Sequence, residues 1–125
     1  MKLAKLIDQR LHATLQKLSS EPLPLRTAFK LKGIIKITRE EFDKYEEVRK
    51  EALQRHGQKN EDGSLKVNDA GSVIFSDDGI KAFVAELNDL ALVDINLPTI
   101  GLAELGEKIS LSVEDLDLLD GIIVE

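Results

Sequence analysis

LRTAFKLKGIIKITREEFDKYEEVRKEALQRHG, residues 25–57, is the stretch that decides how this chain folds. Within it Ala28, Leu31, Ile35, Thr38, Phe42, Tyr45, Arg49 and Ala52 recur at alternating steps of three and four. On a helix of about 3.6 residues per turn those positions form one slowly drifting stripe, the expected buried face. Charged residues from Lys30 to Glu51 fill the gaps. Glu40 with Lys44 and Glu46 with Lys50 have the favourable acid-first order one turn apart, so the other face is expected in water.

The ends are signalled as well. Pro22 and Pro24 resist helix just upstream, and Gly57 follows His56 where a left-handed cap is expected. About thirty residues at about 1.5 Å each give a helix on the order of 45 Å long. Two departures are weighed against a single helix. Gly33 costs up to about 1 kcal/mol in a helix interior, and Ile34, Ile35, Ile37 and Thr38 are β-branched and locally strand-like. The helix would then break near Gly33, or begin only at Thr38, whose hydroxyl and Glu41 make a passable capping box.

Upstream, Leu3, Ile7, Leu11, Leu15 and Leu18 lie on one stripe and predict a first helix over residues 1–18. The Glu21-Pro22-Leu23-Pro24 connector is short and stiff. It favours an antiparallel helical hairpin with the first helix laid along the first half of the long one. Phe42, Tyr45, Val48, Arg49, Ala52 and Leu53 lie beyond the reach of an eighteen-residue helix. They are the candidate interaction residues, because their seam needs cover from another subunit or another protein.

Downstream the chain turns polar. Asp62-Gly63 marks a turn, and residues 64–67 and 72–75 around Asn68-Asp69-Ala70-Gly71 read as a small antiparallel β-hairpin. Ser76, Asp77 and Asp78 open a helix to about Leu90 with Ile80, Phe83, Val84, Leu87 and Leu90 inward. Val93, Ile95 and Leu97 alternate with polar residues up to Pro98 and supply a third strand for the hairpin. Ile100, Leu102 and Leu105 suggest an apolar clip. Ser112 to Asp120 suggests a short capped helix with Val113, Leu116 and Leu119 inward, and Ile122 to Val124 a buried tail. No internal repeat is read. The expected fold is α+β, mainly helical, in one domain of residues 1–125: the helical hairpin over 1–56, then the β-hairpin or three-stranded sheet and two short C-terminal helices over 57–125.

Composition narrows the function. The 125 residues contain no cysteine, so disulfides, thiolate nucleophiles and cysteine-held zinc are excluded. Aromatics are only 4%, so the core falls to Leu, Ile, Val and Ala. Residues 1–56 carry 13 Lys and Arg against 8 Asp and Glu, whereas residues 57–125 carry 4 against 15. Opposite charges of this size can pack the two parts together or join copies head to tail. Neither part has the aromatics of a single-strand stacking platform, so nucleic acid is not expected as a partner. No run approaches a membrane span, and the charges within the first 18 residues argue against a signal peptide; a cytoplasmic or virion location is expected.

Catalytic chemistry finds no foothold. His12 and His56 are the only imidazoles, and neither stands in a triad spacing. The glycines take neither the Walker nor the dinucleotide spacing. Asn60 to Asp69 is rich in oxygen but lacks the EF-hand order of ligands, and Asp115, Asp117 and Asp120 alternate around a short helix. No enzyme activity, cofactor or metal is expected.

The order of these elements resembles a group of small bacteriophage- and prophage-encoded proteins. The resemblance spans about residues 25–120. It rests on Phe29-Lys30-Leu31 opening a long charged helix, Phe42 with Tyr45 to Arg49, the Gly57 to Gly63 turn, Phe83 to Leu90, Val93-x-Ile95, and the Leu-Ser-x-Glu-Asp-Leu run at 111–116. It implies a phage-type, contact-making protein with no catalytic residues to carry over. The leading expectation is a virion assembly or structural accessory protein that associates with itself or with other proteins. The alternative is a regulatory inhibitor whose acidic C-terminal half binds a host protein.

Overall fold

A computed structural model describes residues 1–125. The chain is mostly helical: α1 (Leu3–Leu6), α2 (Gln9–Ser19), α3 (Leu25–His56), α4 (Asp77–Ala91) and α5 (Val113–Leu118). A 3₁₀ turn at Leu102–Leu105 and two very short strands, β1 (Ile100–Gly101) and β2 (Ile123–Val124), complete it. Two compact units form, residues 1–42 with 94–125, and residues 43–93. The boundaries fall inside α3 and just after α4, so neither unit coincides with the sequence halves 1–56 and 57–125.

Helix α3 is unbroken from Leu25 to His56. Gly33 and the β-branched run do not divide it, and Thr38 caps nothing: its buried hydroxyl donates back to Ile35 O at 2.8 Å. The buried stripe is turned one residue from expectation. Thr27, Leu31, Ile34 and Thr38 are buried, while Ala28 and Ile35 are half-buried. Thr27 explains part of the turn, since its hydroxyl donates to Glu104 O at 2.6 Å and fixes that side of the helix inward.

In the first unit the expected helix over residues 1–18 is two pieces. The Met1 amine donates to Ile95 O, the Ile95 N–H donates to Met1 O, and Lys2 bridges Asp94. That pairing fixes the start of the chain, and Asp8 begins a new helix by accepting from Arg10 N at 2.9 Å. Leu6 is buried in place of Ile7. The pairing also takes up residues 94 and 95, so the proposed third strand joins the N-terminus and not the hairpin.

Leu11, Leu15 and Leu18 from α2 meet Leu31 and Ile34 from α3, then Ile100, Leu105, Leu118, Leu119 and Ile122. Burying each such side chain contributes about 1.5–3 kcal/mol. Strands β1 and β2 are parallel, pairing Ile100 with Ile123 and Gly101 with Val124. Parallel pairing needs a crossover, and residues 102–122, including α5, provide it. Helix α5 is capped by Ser112 and turned one residue from expectation. Leu118 and Leu119 are buried, whereas Val113 and Leu116 are exposed.

In the second unit the expected β-hairpin is replaced by a closed ring. Residues 57–64, 65–72 and 73–80 are three successive eight-residue units, with Asn60, Asn68 and Ser76 at the fourth place and Gly63, Gly71 and Gly79 at the seventh. This repeat is absent from the sequence reading. Gln58 N donates to Ile74 O, Ile74 N to Lys66 O, and Lys66 N to Gln58 O, each at 2.8–2.9 Å. Three antiparallel bridges close the ring: Gly57 with Phe75, Lys59 with Leu65, and Val67 with Val73. Each arm is too short between turns to support a regular strand, so it pairs once with each neighbour. Gly63 and Gly71 supply the positive φ of the first two turns, 86° and 80°.

Gly57 does not take the left-handed conformation expected of a helix cap, because φ is positive only at Gly63, Gly71, Gly106 and Gly121. Its small size is needed for a different reason, close approach by Val73 and Leu65. The third octad turns into α4, with Ser76 accepting from Gly79 N at 3.0 Å. Along α4, Phe83 is buried and its ring stacks on Phe75 at 5.0 Å, while Ile80 and Val84 face solvent, contrary to expectation.

Candidate interaction face

The six candidate residues along the second half of α3 are divided between the two units. Phe42 belongs to the first unit, where its ring meets His12 edge-on at 5.3 Å. His12 in turn donates from Nε2 to Leu6 O at 2.8 Å, so this imidazole is held as a packing residue. Tyr45 is half-buried. Arg49 is drawn along its own helix to Glu46, with nitrogen to oxygen distances of 3.2 and 3.3 Å.

Val48 and Ala52 share a shallow groove of about 240 Å³ with Leu87, Leu90 and Val93. Ala52 is fully covered and Val48 is 37% exposed. Leu53 looks the other way, into a depression with Leu65. Helix α4 and the ring therefore shield much of the seam that was expected to need an outside partner. The geometry at the C-terminal end of α3 reinforces this cover. Arg55 holds both oxygens of Glu86 at 3.0 and 3.1 Å, and His56 Nε2 comes within 3.2 Å of Glu86 Oε2. That imidazole nitrogen is buried and is left without a hydrogen bond of good geometry. His56 first and Arg55 second hold the Glu86 carboxyl below its ordinary range.

The exposed apolar surface lies instead at the start of α3, in the first unit. Leu25 and Phe29, one turn apart, are 89% and 80% exposed. Lys32 and Lys36 continue on that side, and Lys36 has only a long contact of 4.0 Å with Glu40. Beside them runs a groove of about 390 Å³ between α2 and α3. Its floor is Leu23, Ala28, Leu31 and Ile35, and its walls are Gln16, Ser19, Lys32 and Arg39. The lining has two cations and no carboxylate. Lys30 is not part of this charge, since it is engaged by Glu104 at 2.9 Å, and Glu104 is held below its ordinary range first by Lys30 and then by the Gly101 amide.

A second exposed surface in the same unit has the opposite sign. Val113 is 77% and Leu116 43% exposed on α5, among the exposed carboxylates Glu114 and Asp117. The third α5 carboxylate, Asp115, turns inward. Lys17 reaches it at 2.9 Å, the Ser112 amide donates to it at 3.2 Å, and these two hold it below the ordinary Asp range.

Sequence reasoning missed Leu25 and Phe29 as surface residues because it centred the buried stripe on Ala28 and Ile35. The signal was present: both lie about 100° or less from Ala28, on the side that also carries Lys32 and Lys36. No group of His, Asp and Glu side chains is arranged to hold a metal ion, and no helix is long and apolar enough to cross a membrane. No protein-family model, no curated protein and no solved structure matches the chain.

Proposed function

We propose that the chain is a non-enzymatic protein-interaction module of phage type, acting as an accessory in virion assembly. One observation carries the reading: Leu25 and Phe29 stand almost fully in water beside a groove floored by four apolar side chains. Scattered exposed apolar residues are ordinary, but adjacent ones continuous with an apolar groove mark an interaction surface. Covering both would recover about 1.5–3 kcal/mol each, stabilisation that the isolated chain forgoes. The test is composition: particles and assembly intermediates purified from the encoding phage should contain the chain, and L25S/F29S should reduce its incorporation. Absence of the wild-type chain from particles and intermediates alike would overturn the reading.

The alternative, a regulatory inhibitor of a host protein, is favoured by one feature, the 15 acidic against 4 basic residues over 57–125. Competition by nucleic acid for a captured host enzyme, lost at high salt, would support that reading.

A further inference from the structure

The first unit carries two exposed helix faces whose chemistries are complementary. The α3 face offers Leu25 and Phe29 with Lys32 and Lys36; the α5 face offers Val113 and Leu116 with Glu114 and Asp117. Each mixes two apolar side chains with two like charges. Bringing two α3 faces together would oppose Lys32 and Lys36 to their own copies, and two α5 faces would do the same with Glu114 and Asp117. Same-face pairing is therefore disfavoured and unlike-face pairing favoured.

We propose that the occupant of the α3 face is a second copy of this chain, presenting its α5 face. The inference rests on the interaction-module reading and deepens it by naming the partner and both surfaces. The contact is heterologous, so a pair of copies leaves one α3 face and one α5 face unused. Copies then add head to tail until a ring closes or an open filament grows. The groove beside Leu25 and Phe29 extends the apolar part of the contact, and Arg39 in its wall adds a cation on the same side. Lys17 is engaged by the inward-turned Asp115, and Arg10 lies 3.7 Å from Glu114 of the exposed acidic face. That pair is long and solvent-exposed, so it offers little competition.

Sedimentation of the full-length chain over a micromolar concentration series tests this. The wild type should form species beyond the dimer, and added salt should weaken them. K32E/K36E and E114K/D117K should each weaken association by about tenfold or more, since attraction becomes repulsion at two positions. The chain carrying all four substitutions should associate again, because the charges are exchanged between the faces that meet. An equimolar mixture of L25S/F29S with V113S/L116S should stop at a dimer, each copy retaining one working face.

A wild type that stays monomeric overturns the proposal. So does association that ignores either charge reversal, or a fourfold exchange that fails to restore it. None of these results removes the chain from virions, so failure here remains distinct from failure of the interaction-module reading. A monomeric chain present in particles would assign the α3 face to a different acidic protein.

Discussion

Gly57 and Val73 approach so closely that a Cβ on Gly57 would lie 2.7 Å from Val73 Cγ1, with Leu65 Cδ2 and Leu53 O each at 2.8 Å. The three residues that begin the octads thus converge, and two of them fill the space that a side chain on the first would need. Gly57→Ala should cost about 1–3 kcal/mol by overpacking. Gly57→Ala with Val73→Ala should recover only part, because the Leu53 carbonyl cannot move aside like a methyl group. Gly33→Ala has open space around its Cβ in the middle of α3 and should instead stabilise by up to about 1 kcal/mol. Urea unfolding of the three variants checks both signs.

The ring of amides at Gln58, Lys66 and Ile74 makes a second prediction. Each N–H is bonded to the next arm's carbonyl, so freeing one requires an arm to leave two neighbours at once. Hydrogen exchange should show the three amides protected together with a shared opening rate, well below that of Glu61 in the first turn. Exchange of Lys66 alone at the turn rate would mean that the arms open separately.

Helix positions proved easier to read from the sequence than helix rotation or β pairing. Residues 25–56 formed one helix because proline stops it upstream and the three-and-four spacing persists throughout. The one-residue turn of its buried face depends on Thr27 reaching Glu104, a partner 77 positions away that local spacing cannot reveal. The same applies to Asp94 and Ile95, whose alternation was legible as a strand but whose partner is the chain's own first residues. The octads were legible in principle from the glycines at 63, 71 and 79, yet the two-arm hairpin pattern already absorbed those turns. The exposure of Leu25 and Phe29 follows from the same rotation: shifting the stripe by a residue moves them from neutral positions to the centre of the exposed side.

Helix α5 offers a direct check of rotation. Leu119 is fully buried and Val113 is 77% exposed, although both sit on the apolar stripe expected from sequence. Leu119→Ala should cost about 2–5 kcal/mol, as for other buried leucines, and Val113→Ala no more than about 0.5 kcal/mol. Ser112→Ala removes the acceptor that holds Asp115 N at 3.0 Å and should cost about 0.5–2 kcal/mol. Thermal unfolding of dilute protein, where association is minimal, gives the ranking.

Lys17 and Asp115 supply the pH dependence. The folded Asp115 carboxyl is held below its ordinary value of 3.8, first by the Lys17 hydrogen bond and then by the Ser112 amide. A carboxyl with a depressed folded pKa stabilises the protein above its unfolded pKa and loses that contribution as pH falls through the folded value. The loss should therefore begin near the ordinary Asp value and finish at more acid pH. Lys17→Met removes the larger cause, so its stability deficit should be constant at neutral pH and shrink towards zero as Asp115 becomes protonated in both folded and unfolded chains. Because Lys17 remains 57% exposed, the effect should also shrink with added salt. Urea midpoints of wild type and variant between neutral pH and pH 3, at low and high salt, measure it; a deficit unchanged across that range would remove Asp115 from the explanation and leave only the lost packing of the lysine stem.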